Sequence, residues 1–568
     1  MTSFPSSHVL FGLFVLLLLS GMYYIVWIYA IDSPKFIYYC PLDRVGLTHL
    51  WNDENCYWST SYPEARSKFV ALGNRIREQV KEQPHGLLDV VDVKSISYDV
   101  SDATVIENYG GGYEKYLESL EVIDVHGTQC ITPEKDTIDA LLLTFREPKS
   151  NEAKSGNEFI DVIHSSGVHG VEGYLGSAIQ LRYLHELLLQ NEEMMKSCRA
   201  DNGTQVPETE SPMKGRKVLL IHAVNPNGMR HHRRTNENNV DLNRNVLTQE
   251  IWKKVRTRDP NFVGYVDMDS AINPFIPWGS SGMFSWATAA RDAGYEGNIT
   301  RLQLRDDEVM RHVEGETNLF RESNYDTSLG NFSLFSDVRV WLERKWILAE
   351  IVWKVLYTVF TMGYTNGKRA LVAAQYLKQS GVGYGGGAHK HHINSWENSI
   401  FALRHAINDF AGYQLGKKVE QKVFWIDVHT GLGKYGKFKA MGFDFEAAND
   451  SPKQSNWRSK FADLLRHSHL VLGESSDDGV SEGYDLTMGF VNDRVLCPPP
   501  NCFSITQEFG TRPGVAVALA LILENKSHQI GSREFSVISS WAFYPQRLSW
   551  RRKTLRGGIK MLSSVLNL

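Results

Sequence analysis

The chain has 568 residues, 42% of them hydrophobic and 22% charged, with 61 Lys+Arg against 65 Asp+Glu. Those proportions imply a packed core and exclude both wholesale disorder and a polytopic membrane protein. A formal charge of −4 offers no general attraction for nucleic acid or acidic lipid, so no nucleic-acid partner is expected.

From Val9 to Ile31 the chain reads VLFGLFVLLLLSGMYYIVWIYAI, without a charge and long enough to cross a bilayer at about 1.5 Å per residue. Residues 1–35 are therefore read as an uncleaved single-pass membrane anchor, with a signal peptide ending near Ser20-Gly21 as the alternative. Only Lys35 lies close to this segment, so flanking charge does not set its orientation.

Residues 36–59 form a cysteine-containing linker. Cys40 and Cys56, and separately Cys497 and Cys502, are close enough in sequence for two local disulfides in an oxidising compartment, leaving Cys130 and Cys198. Asn-x-Ser/Thr triplets begin at Asn202, Asn298, Asn331, Asn449 and Asn525. Both features suit a glycoprotein with a lumenal or extracellular body, secreted if the first segment is cleaved; a cytosolic-facing body with reduced thiols is the alternative.

The catalytic-domain candidate spans residues 60–535. TSYPEARSKFVALGNRIREQV opens it with Phe69, Leu72 and Ile76 at helical spacing. Short apolar runs follow at 140–145, 159–167, 217–225, 423–431 and 501–510, rich in β-branched and aromatic residues and bounded by turn residues, and these read as buried strands. Helix-like stretches at 173–190 and 515–524 alternate with them, which predicts an α/β fold with a mixed, mainly parallel central sheet flanked by helices.

Polar segments at 147–157 and 191–216 read as surface insertions. The apolar stretch 341–364 is broken by Glu343, Arg344, Lys345, Glu350 and Lys354, so it reads as an amphipathic packing helix, with membrane-surface contact as the alternative. Residues 536–568 form a basic C-terminal tail, a solvated helix or a lipid-binding one.

In open α/β sheets ligands collect beyond the carboxyl ends of the strands, and four such ends carry chemistry here. The strand at 159–167 runs into Val168-His169-Gly170-Val171-Glu172-Gly173, with an imidazole and a carboxylate three residues apart. That pair alone is a weak signal, and a third ligand is required. His429 ends the strand at 423–431 and supplies it, so that His169, Glu172 and His429 make a three-ligand catalytic zinc set with one position left for water. Glu508 ends the apolar run NCFSITQEFG, where an unopposed carboxylate is costly, and is the candidate general base. The fourth end leads into NPNGMRHHRRTNENNVDLNRN, where Arg233, Arg234 and Arg244 are candidates for binding a carboxylate or an oxyanion and Asp241 for orienting a ligand histidine.

In order along the chain stand His169-x-x-Glu172, Asn225-Pro226-Asn227-Gly228, Arg234, Asp241-Leu242-Asn243-Arg244, His429 and Glu508. This order resembles the zinc carboxypeptidase (carboxypeptidase A-like) superfamily, which includes aspartoacylase and succinylglutamate desuccinylase, over residues 160–525. Through SYPEARSKF, SSGVHGVEGYLGSAIQ, RRTNENNVDLNRN, QYLKQSGVGYGGG, DVHTGLGKYG and ITQEFGT the chain is most similar to an uncharacterised branch, a domain of unknown function, over about residues 60–535.

The resemblance implies one Zn2+ per chain, Glu508 as base, Arg234 polarising the scissile carbonyl and Asn243 and Arg244 holding a substrate carboxylate. Arg233 is left as a substitute for Arg234, and Tyr484 is implied as a substrate-binding residue. The stretch His389-Lys390-His391-His392 matches no ligand set of the family and reads as a loop with incidental histidines, a second metal site being the alternative. The expected activity is that of a zinc hydrolase cleaving an amide bond, a metallocarboxypeptidase-like peptidase. The alternatives are an N-acyl amino acid deacylase on the same core and a catalytically silent binding ectodomain.

Overall fold

The computed structural model describes residues 54–82, 90–100, 104–106, 136–146, 160–200, 215–256, 360–361, 363–376, 381–386, 396–413, 422–442, 487–493, 495–498, 501–529 and 536–566. The expected anchor, Cys40, the stretch 341–359, the histidines at 389–392 and Tyr484 lie outside them. Among the described residues no helix is long and apolar enough to cross a membrane.

Eight strands form one sheet: β1 (Val90–Asp99), β2 (Thr104–Ile106), β3 (Thr137–Phe145), β4 (Ile160–Ser166), β5 (Lys217–His222), β6 (Lys422–Tyr435), β7 (Phe438–Gly442) and β8 (Cys502–Gly510). Their spatial order is β2-β1-β3-β5-β4-β6-β8-β7. The five apolar runs expected as strands are β3, β4, β5, β6 and β8. The sheet is mixed, as expected, but it is not mainly parallel. Only the four-strand core β5-β4-β6-β8 is parallel, and β2, β1 and β3 on one flank and β7 on the other pair antiparallel. Helix α2 lies in the connection between the parallel neighbours β4 and β5, whereas β7 follows β6 through a two-residue turn that forces reversal.

Both faces of the parallel core are covered, which is why its strands are apolar on alternate residues in both directions. On one face Val162, Leu220, Phe424, Ile426, Val428 and Ile505 pack under α1 (Tyr62–Glu82) and α2 (Gly173–Ala200). On the other, Ile163, Leu219, Ile221 and Trp425 meet Leu242, Val246, Ile400, Leu403 and Val491. Helix α2 continues to Ala200, ten residues into the stretch expected as a surface insertion. The expected basic tail belongs to the body: α9 (Leu548–Leu566) buries Trp550, Leu555, Leu562 and Val565, and Trp58 from the expected linker stacks on Tyr544 just before it. A buried stripe on that helix, with Arg552, Lys553, Arg556 and Lys560 exposed beside it, explains why composition alone suggested a solvated tail.

Cys497 and Cys502 form a disulfide at the start of β8. The Asn525 triplet is closed to modification, because that side chain is buried and hydrogen-bonded to Asn239.

Candidate metal centre

The four parallel strands end on one side, and the loops leaving them converge there. After β4 a short 3-10 turn, Gly170–Glu172, lies against the Asn225-Pro-Asn-Gly turn so closely that a Cβ on Gly170 would stand 2.0 Å from the Gly228 carbonyl carbon. Glycine in both motifs is therefore a packing requirement. This approach swings His169 and Glu172 over the end of β6, where Val428 pairs with Ser166 and His429 projects beyond it.

His169 Nδ1, His429 Nδ1 and the Glu172 carboxylate lie within 4.8 Å of one another. His169 Nδ1 is 2.9 Å from Glu172 Oε1, and His429 Nδ1 is 3.2 Å from Oε2. The two Nδ1 atoms stand 3.0 Å apart. The outer nitrogens are fixed by carboxylates, His169 Nε2 by Asp241 Oδ1 at 3.0 Å and His429 Nε2 by Asp427 Oδ2 at 2.6 Å. Asp427 in turn accepts from Ser165 Oγ, which accepts from Trp425 Nε1. With Nε2–H donated outward on both rings, both Nδ1 atoms present lone pairs to the same point. A cation satisfies that arrangement, and two imidazoles with one carboxylate suit zinc better than the all-oxygen sets of calcium or magnesium. The expected ligand set thus fits a metal on its own geometry.

Charge at the site follows from burial. Burial pushes Glu172 upward, but His169 and His429 outweigh it and hold the carboxyl well below its usual range. Asp241 is likewise held low against burial by Arg234 and His169. For His429, burial opposes the charged form, yet Asp427 and Glu172 raise the imidazole well above its ordinary value.

Glu508 pairs with His429 in the register of β6 and β8, so the two side chains share a face. The register breaks between Thr430 and Tyr435, and the bulged backbone brings the Leu432 N–H to Glu508 Oε1 at 3.1 Å. Burial, reinforced by the charge of Glu172, pushes the Glu508 carboxyl up to about 8, against the opposing pull of His429 and the Leu432 N–H.

The adjacent arginines part company. Arg234 turns inward, donating from Nε to Asp241 Oδ2 at 2.8 Å and from Nη1 to Glu172 Oε1 at 3.4 Å. Arg233 turns outward into a buried cage, where Glu524, the Asn236 carbonyl, Thr235 and Asn239 take its donors. The site is therefore served by Arg234, and Arg233 ties the loop to α7 (Gly514–Gln529).

Asn243 and Arg244 follow Asp241, whose Oδ1 caps the turn by accepting the Asn243 N–H. Asn243 Oδ1 accepts the Val491 N–H at 3.1 Å. Arg244 is buried and stacked 4.7 Å from the centre of the Phe490 ring. Asp427, Val491 and Phe490 escaped the sequence reading. For Asp427 a signal existed, since it lies two residues before His429 and hence on the same strand face; Val491 and Phe490 are remote in sequence and carried none.

Comparison of the chain with curated proteins and with solved structures gives no match. The family described as protein of unknown function (DUF2817) matches residues 153–280 and 334–557, more than half of the chain, and the chain belongs to that family.

Proposed function

We propose that this protein is a zinc-dependent hydrolase that cleaves an amide bond, most specifically a metallocarboxypeptidase-like peptidase of the zinc carboxypeptidase superfamily. The observation that carries the reading is the convergence of two Nδ1 atoms and one carboxylate, each outer nitrogen anchored by an aspartate, beside an independently buried Glu508.

His169, Glu172 and His429 would hold the zinc, which supplies Lewis acidity when bound. Glu508 takes a proton from the attacking water and hands it to the leaving nitrogen. Burial, with the charge of Glu172, holds it high without a metal, and a dication beside it would bring it back toward an ionised base. Arg234 directs its guanidinium at the carbonyl oxygen as negative charge develops there. Asn243 Nδ2 and Arg244 receive a carboxylate on the substrate, so peptides with free C-termini and N-acyl amino acids both fit, and a deacylase would use the same core.

The Cys497–Cys502 disulfide supports a lumenal or extracellular body, anchored by the apolar N-terminal segment. The test is turnover by zinc-loaded protein against free-acid peptide and N-acyl amino acid panels, read by mass spectrometry. Cleavage that disappears in Glu508→Gln with zinc retained is expected, and failure to cleave either panel overturns the reading.

A further inference from the structure

The buried Arg66 and Arg233 pair with Asp139 and Glu524, and the half-buried Arg234 pairs with Asp241. Arg244, only 4% exposed, does not. Among the described residues it has no carboxylate within ion-pair distance; its Nε donates to Gln375 Oε1 at 2.7 Å, its Nη1 to the Asn243 carbonyl at 2.7 Å, and its face meets Phe490. A buried guanidinium hydrogen-bonded only to neutral partners has its charge less fully compensated than one in an ion pair, while losing its freedom to turn.

Gln375 is itself held. It lies in the turn Ala374–Tyr376 that follows α5 (Tyr364–Ala373), and its carbonyl accepts the Gly385 N–H at 2.7 Å. A Cβ on Gly385 would stand 2.3 Å from Arg244 Cβ, so the glycine-rich segment 381–386 reaches Arg244 only because it lacks side chains there. The next residue of the same turn, Tyr376, exchanges hydrogen bonds with the backbone of Met488, two residues before Phe490 and three before Val491. A single three-residue turn thus steadies the edge and the face of Arg244, and through Val491 the amide of Asn243.

We infer that Gln375 is a positioning residue for the substrate carboxylate: it fixes Arg244 by a neutral acceptor so that the guanidinium charge remains available to the ligand. The inference rests on the hydrolase reading for the identity of the ligand, and its physical requirement is an amide at 375 rather than an acid. A glutamate there, of the same size, would pair with Arg244 and compete with the ligand.

The experiment uses full-length zinc-loaded protein and a pool of N-acetylated amino acids, each as the free acid and as its carboxamide, with retained members measured by mass spectrometry. The acid-to-amide affinity ratio reports the carboxylate contact alone. Wild type is expected to favour acids by about tenfold or more, Gln375→Met to lose most of that preference, and Gln375→Glu to abolish it, with zinc content unchanged in both. A ratio in Gln375→Glu equal to that of wild type, or a wild type without acid preference, overturns the inference. A shifted ratio in a protein that fails to cleave either panel sinks the hydrolase reading and leaves the role of Gln375 standing.

Discussion

His169 and His429 confront each other through the same ring nitrogen, Nδ1 to Nδ1 at 3.0 Å, while each offers its Nε2 to a buried aspartate. Two lone pairs so close are tolerable only around a proton or a metal ion. Desalted protein is therefore expected to carry about one zinc per chain by mass spectrometry of the metal, with His169→Ala and His429→Ala each losing it. Asp427→Asn should keep the fold and weaken zinc about 10–100-fold in a chelator competition. Metal-free wild-type protein that refuses added zinc would remove the centre.

The metal and the proton compete for His429. In metal-free protein its imidazole is raised well above the ordinary range, so at neutral pH zinc has to displace a proton. Apparent zinc affinity is expected to fall as pH is lowered from 8 to 6, with protons released on binding. Calorimetry in two buffers of different ionisation enthalpy measures that release, and equal heats in both buffers would contradict it.

Glu508 gives metal-free protein a stability that depends on pH. Its folded value, about 8, lies above the ordinary 4.5, so the stability contributed by the protonated carboxyl is fully present below 4.5 and is lost as pH rises through 8. Glu508→Gln should melt with wild type at pH 5 and above it at pH 9, by on the order of a few kcal/mol. Coincident melts at both values would show that Glu508 is not held high.

The neighbouring arginines should fail in different ways. Arg233→Ala strands a buried Glu524 and is expected to lower stability by about 3–5 kcal/mol in denaturant unfolding. Arg234→Ala should hold zinc and fold, and lose turnover by two orders of magnitude or more. The reverse pattern would reassign the two residues.

The Cys497–Cys502 disulfide closes a short loop next to the segment that carries Phe490 and Val491. Replacing both cysteines by serine should cost about 2 kcal/mol, seen as a lower denaturation midpoint that added reductant no longer shifts. An unchanged midpoint would show that the loop is held by its packing alone.

Much of the centre was legible before the fold was known. His169, Glu172, His429 and Glu508 each stand at or just past the end of an apolar run, within two residues of a glycine, and charged or ligating groups placed there are costly unless chemistry uses them. The strands of the parallel core were legible for the same reason, since burial on both faces writes continuous apolar runs. β1 and β7 were not: VVDVKSISYD mixes exposed and buried positions too irregularly to announce a strand, and FKAMG is too short to do so. Strand direction was not legible either, as it depends on how each connection returns to the sheet.

Residue chemistry and order along the chain marked His169, Glu172, His429 and Glu508 as the candidate groups. The tertiary structure alone decided which of two adjacent arginines serves the site, that Asp427 anchors His429, and that Gln375 meets Arg244 across 131 residues of sequence. Side-chain direction at a turn, and contact between distant segments, are properties of the folded backbone, and no local pattern of residues encodes them.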